Sequence, residues 1–288
     1  MKRRSTISRT VAAILLMAAS FAAAAGQTVA VSDLKLETHI HGLAVDRQDP
    51  GYLLIATHHG LFRAGPDGKA TRISVVQDFM GFNPHPSDPE TLYASGHPPG
   101  GGNLGFIRST DRGRTWDQIS PGAGGPVDFH QMTISPAEPQ TIYGAHGGLQ
   151  VSHDAGRSWK VVAPLPDRLI DLAASAEEAR ILYAATEGGL LVSRDAGESW
   201  ESIMEGAPVS MVEVSPNGML YGFVLGRGLI RSAEGSLDFQ TVSSEWGDGF
   251  LLHLAIDPSN PDRLFGATQE GTILASTDGG KSWRAFGD

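Results

Sequence analysis

The chain has no cysteine among its 288 residues. That excludes disulfide staples, thiolate nucleophiles and thiolate metal ligands together. It is also poor in basic charge, with 22 Lys and Arg against 32 Asp and Glu and a formal net charge of −10. Nucleic acid and anionic lipid both need a basic face, so neither is an expected partner. No apolar run is long enough to favour a stable membrane span. The apolar stretch Val11 to Phe21 follows Lys2, Arg3, Arg4 and Arg9 and precedes the small residues Ala22 to Ala25. This is the layout of an export signal cleaved near Ala25. Phe-Leu does not follow the Arg3-Arg4 pair, so the general export route is expected over the twin-arginine one. Loss of the four signal cations leaves a mature chain of residues 26–288 with a net charge of −14. That chain is expected to be periplasmic or secreted, with no membrane span.

What the chain does have is turns and repeats. Its 36 Gly and 17 Pro suit many short strands. Four octapeptides share the pattern S-x-D-x-G-x-[ST]-W: STDRGRTW (109–116), SHDAGRSW (152–159), SRDAGESW (193–200) and STDGGKSW (276–283). The closing tryptophans stand 43, 41 and 83 residues apart, and the double gap predicts a degenerate copy between the last two. That copy is Ser232 to Phe239, which keeps the serine and a final aromatic but lacks the central Asp. A period near 41–43 residues predicts a solenoid or a propeller.

Aligned on the octapeptides, the chain divides into six units. Each opens on a short apolar strand, such as His41 to Asp46, Met80 to His85 or His130 to Ser135. Two more strands, the octapeptide and a fourth strand follow. Four strands per unit at this period make a propeller blade. The fold class is therefore all-β, a single six-bladed β-propeller over residues 26–288 with the octapeptides at hairpin tips. Unit one carries a plain tight turn, Gly65 to Lys69, in place of an octapeptide. Val29 to Thr38 is expected to supply a strand that closes the ring with the last blade.

The octapeptides resemble the Asp-box (BNR) repeats of sialidases, sortilin-type receptors, some other glycosidases and a photosystem assembly factor. The resemblance spans nearly the whole mature chain and looks closest to exported bacterial proteins often described as sialidase-like or glycosyl hydrolases. It implies the fold; function is separable from fold. The further marks of a sialidase are missing. The early Arg-Ile-Pro segment is replaced by Leu61-Phe-Arg-Ala-Gly65, and no Tyr sits where a nucleophile would be needed.

The blade register sorts the histidines. Strand one lines the central channel, and its start and the strand two–three loop share the upper face. That face receives His39, His41, His58, His59, His97, His130, His146 and His253, eight of the ten; His85 and His153 fall below. His41 and His130 occupy one slot at the start of strand one, and Met80 fills it in the blade between. His58 and His146 share a slot in the second-to-third loop, with His97 one step further on. Blades one to three are consecutive, so His41, His58, His97, His130, His146 and Met80 are expected to converge on one sector of the rim. Imidazole is the commonest transition-metal ligand. His with Met suits copper, and His alone also suits zinc. No organic cofactor is expected. The glycine-rich loop Gly96 to Gly105 is longer than its counterparts and reads as a wall of the site.

The expected function is an exported binding protein whose upper pocket holds copper or zinc. His41, His58, His130, His146 and Met80 are the metal candidates, with His59, His97, His253 and Glu187 as further ligand-binding residues. The alternative is a glycoside hydrolase working on a glycan with a pair of upper-face carboxylates, Asp128 and Glu187. A third possibility is a scaffold with a protein partner, like the photosystem factor.

Overall fold

Short apolar runs between glycine and proline turns become strands because the turns hold the chain too tightly for helix. The computed structural model describes residues 26–287; the expected export signal at residues 1–25 lies outside them. Twenty-five strands and one four-residue α-helix, α1 (Leu34–Glu37), form among these residues. They build six antiparallel sheets in sequential order. The innermost strands are β2 (Ile40–Val45), β6 (Met80–Pro84), β10 (Gln131–Ile134), β14 (Leu169–Ala174), β18 (Val209–Val214) and β22 (Leu251–Ile256). Each packs against its neighbours on both sides, and β22 meets β2. The fold is a six-bladed β-propeller.

The N-terminal strand corrects one expectation. β1 (Thr28–Ala30) pairs with β5 (Lys69–Arg72), the outer strand of blade one, rather than with the last blade. The ring is sealed by packing instead. Val31 and Leu34, just after β1, are buried with Phe265, Ala267 and Ile273 of blade six and with Leu53 and Phe62 of blade one. Outer-edge pairing satisfies the β5 backbone and leaves the apolar side chains free to fill the seam.

The octapeptides are self-contained turns. In the first, Asp111 Oδ1 accepts the Ser109 hydroxyl at 2.8 Å and the Thr115 amide at 2.9 Å, while Oδ2 accepts the Thr115 hydroxyl at 2.7 Å. Asp154, Asp195 and Asp278 repeat the pattern. Bonds from the Ser158 and Ser199 hydroxyls and amides hold the Asp154 and Asp195 carboxyls down to about 2. The glycine does two things. At Gly156 φ is 80°, a region that side chains resist. A Cβ there would lie 2.0 Å from the Phe106 ring of the preceding blade. Gly113 and Gly197 press in the same way on Leu61 and Leu149. The degenerate copy in blade five holds the preceding blade differently. Its Glu234 is buried and accepts the Ala176 amide at 3.0 Å and the Tyr183 hydroxyl at 3.2 Å, both from blade four.

Candidate metal centre

Two segments leading into inner strands share one design. Asp78-Phe79-Met80 enters blade two and Asp128-Phe129-His130 enters blade three. The Phe79 amide donates to the Thr57 carbonyl at 3.1 Å, and the Phe129 amide donates to Ser95 Oγ at 3.0 Å. Each aspartate is thereby held over the seam with the preceding blade, facing that blade's strand two–three loop.

At the first seam the turn after β3 (Leu53–Thr57) presents His58. Thr57 braces this turn: its hydroxyl donates to the Gly60 carbonyl at 2.8 Å and accepts the His59 amide at 3.1 Å. His58 Nδ1 lies 2.8 Å from Asp78 Oδ2. His41 sits at the bulge in β2, and its ring meets that of His58 edge-on with centroids 4.1 Å apart. His41 Nε2 is 3.9 Å from Asp78 Oδ1, beyond hydrogen-bonding reach. Both of these atoms are buried and have no hydrogen-bond partner.

At the second seam His97, on the glycine-rich loop, and His130 both place Nε2 2.8 Å from Asp128 Oδ2. Asp128 is 6% exposed, and its Oδ1 is buried without a partner. His97 Nδ1 donates to the Gly102 carbonyl at 2.9 Å, which aims Nε2 at the carboxylate. A histidine that donates one nitrogen to a backbone carbonyl and presents the other is the usual form of an oriented metal ligand. In each trio, His41-His58-Asp78 and His97-Asp128-His130, the ligand atoms lie within 4.8 Å of one another. The trios adjoin, since the Asp78 amide donates to the His97 carbonyl at 3.0 Å.

The electrostatics differ between them. Burial, then the charge of His58, lowers the His41 pKa to about 4, so His41 is neutral at physiological pH. The bond to Gly102 and the carboxylates of Asp128 and Asp78 raise that of His97.

The expected single cluster is thus divided in two, and carboxylates complete each half. His146 belongs to neither trio; its Nδ1 donates to the Asp128 carbonyl at 3.1 Å and steadies that aspartate from behind. Met80 is 6% exposed at the head of β6. His59 Nδ1 donates to the Glu37 carbonyl at 2.9 Å, turned toward the N-terminal segment. His253 lies deeper in the channel, where burial lowers its pKa to about 4 and its Nε2 reaches the Ile40 carbonyl at 3.4 Å. Asp128 and Glu187 each have partners of their own. Asp128 is held by two imidazoles, and Glu187 is half exposed in an ion pair with Arg168 at 2.7 Å. Asp78 is the functional candidate that the histidine pattern overlooks. The signal for it was the shared Asp-Phe step two residues before equivalent slots in consecutive blades.

No protein-family profile matches the chain, and no curated protein matches it. Solved structures do. The GH74 xyloglucanase from Xanthomonas campestris is 19% identical with a TM-score of 0.61, over 90% of this chain and 46% of that one. The extracellular domain of a putative hybrid two-component system from B. thetaiotaomicron is 14% identical, with a TM-score of 0.57 over 90% and 34%. YCF48 bound to D1 peptide is 18% identical, with a TM-score of 0.55 over 91% and 84%. The chain spans between a third and a half of the length of the GH74 enzymes it matches. At these identities the likeness establishes the β-propeller fold. No helix among the described residues is long and apolar enough to cross a membrane.

Proposed function

We propose that the protein is an exported metal-binding propeller that holds zinc or copper(II) at the two His-His-Asp trios of its upper rim. One observation carries the reading. His41 Nε2 and Asp78 Oδ1 face a common gap 3.9 Å across, both buried and both without a partner. A buried carboxylate oxygen and a neutral imidazole nitrogen are each costly to leave unsatisfied, and one cation between them satisfies both. The donor set of imidazoles and one carboxylate suits zinc or copper(II). Three protein ligands leave at least one position open, as in sites that bind or transform a further ligand rather than closed structural ones. The export signal and the acidic mature chain support a role outside the cytoplasm.

Metal analysis of the full mature chain, reconstituted with zinc or copper(II) at neutral pH, tests this. About two equivalents are expected. Asp78→Asn and Asp128→Asn should each weaken one site by ~100-fold or more, leaving about one equivalent. Binding should weaken as pH falls through the histidine range, because protons compete for the same nitrogens. Fewer than about 0.2 equivalents of either metal after reconstitution would sink the proposal.

A further inference from the structure

Below the rim, the inner strands enclose a channel of about 570 Å³. Its wall mixes polar groups with apolar side chains, among them Leu43, Phe82, Met132, Leu172, Val212 and Leu254. Two carboxylates on the inner strands, Asp171 and Glu213, line it, apart from Glu270 on the loop after β23 (Leu264–Thr268). Asp171, on β14, is anchored: Oδ1 accepts the Leu172 amide at 2.8 Å and Oδ2 accepts the Val212 amide at 2.9 Å. The second bond crosses from blade four to blade five and sets Asp171 beside Glu213 on β18. Glu213 is enclosed in the channel, yet its carboxylate takes no hydrogen bond and no ion pair among the described residues. The Arg47 guanidinium, which also lines the channel, partly offsets the Glu213 charge but makes no ion pair with it and donates instead to the Pro86 carbonyl. His253 and His41, above, are neutral at physiological pH.

We propose that the channel is a binding site for a small organic cation, an amine with an apolar body, whose ammonium group sits between Asp171 and Glu213. A cavity of this size that joins apolar side chains to a few convergent polar groups has the form of a small-molecule site. The charge selects the cation, since an ammonium ion supplies the donors that Glu213 lacks. The anchored Asp171 fixes where it binds, and the apolar side chains of the wall take up the body.

Burial and the neighbouring Asp171 push the Glu213 carboxyl up to about 8, and burial pushes Asp171 up to about 7. The empty pair therefore holds a proton near neutral pH, and a bound ammonium displaces it. Acid opposes binding, because both carboxyls are neutral below about pH 6.

Titration calorimetry on the full mature chain, stripped of metal with a chelator, compares benzylamine with its neutral counterpart benzyl alcohol. At pH 8 the amine should bind one to one and at least ~10-fold tighter than the alcohol, a preference lost at pH 5.5. At pH 7, buffers of different ionisation heat should report release of about one proton. Glu213→Gln should abolish the preference, while Glu201→Gln, an exposed control on an outer strand, keeps it. Asp171→Asn provides the same readout if the first variant folds poorly. Equal binding of amine and alcohol, no binding at ~10 mM, or an unchanged preference in Glu213→Gln would overturn the proposal. So would binding seen only before chelation, which would place the amine on a rim metal.

Discussion

On the lower face of the ring, both oxygens of Asp111, Asp154, Asp195 and Asp278 accept hydrogen bonds from their own turns. On the upper face, Asp78 and Asp128 each keep one oxygen buried and unbonded. Five buried side-chain polar atoms lack a partner among the described residues, and three of them belong to the two trios. The same residue type is thus used in two ways. The octapeptide aspartates complete the structure by themselves. The rim aspartates are left incomplete in one sector, and incompleteness concentrated in one place points to a missing partner rather than to loose packing.

The contrast can be broken most severely from below. Gly156→Val should cost ~3 kcal/mol or more in urea unfolding, because it forces a β-branched residue to positive φ and into Phe106. Protein that still folds should keep its metal capacity, since the rim is untouched. Loss of stability and metal together at full folding would show that the faces are not independent.

A second, smaller effect separates the faces by pH. His253 has a folded pKa of about 4 against an ordinary 6.5, so the unfolded chain takes up the proton first. Its contribution to stability is full above pH 6.5 and is lost as pH falls toward 4. The octapeptide carboxyls are also depressed, but from 3.8 to about 2 at Asp154, so their contribution persists until pH drops below about 4. His253→Gln should therefore flatten the stability profile of metal-free protein between pH 6.5 and 4 by up to ~1.4 kcal/mol per pH unit. Asp154→Asn should flatten it only at lower pH. Urea melts across pH 3–7.5 would reveal an exchange of the two windows, which would contradict the assignment.

The smallest expected effect is a gain. Ala155 and Ala196 sit at positive φ, 56° and 62°, where the last octapeptide has Gly279 at 73°. Ala155→Gly should relieve that strain and stabilise by about 0.5–1 kcal/mol, despite glycine's greater freedom in the unfolded chain. A measured loss would show that Ala155 is not strained.

The architecture was legible because a repeated octapeptide reports both blade count and register. The rim was half legible. His41, His58, His97 and His130 emerged because imidazoles at equivalent slots are unusual. Asp128 was singled out only as a carboxylate to pair with Glu187, and Asp78 did not stand out from other upper-face loop charges, since most such carboxylates are solvated. The division into two trios depends on which nitrogen each ring presents, and that is set by bonds such as His97 to Gly102, between residues whose approach no pattern encodes. Asp171 and Glu213 were hidden for another reason. Each sits alone in an apolar strand, where one carboxylate reads as a solvent-facing position. The β1 pairing was missed because a three-residue strand carries too little pattern to choose between two edges.

The octapeptide glycines give the ring a grain. Blades two, three, four and six each rest a bare backbone on the blade before, and blade five grips backward with Glu234. Where the ring closes, Gly68 of blade one meets Gly287 backbone against backbone, beside the packing of Val31 and Leu34 that seals it. With the break at this seam, every backward grip lies within a continuous chain. New termini cut between any other two blades would ask one of those grips to hold across a break.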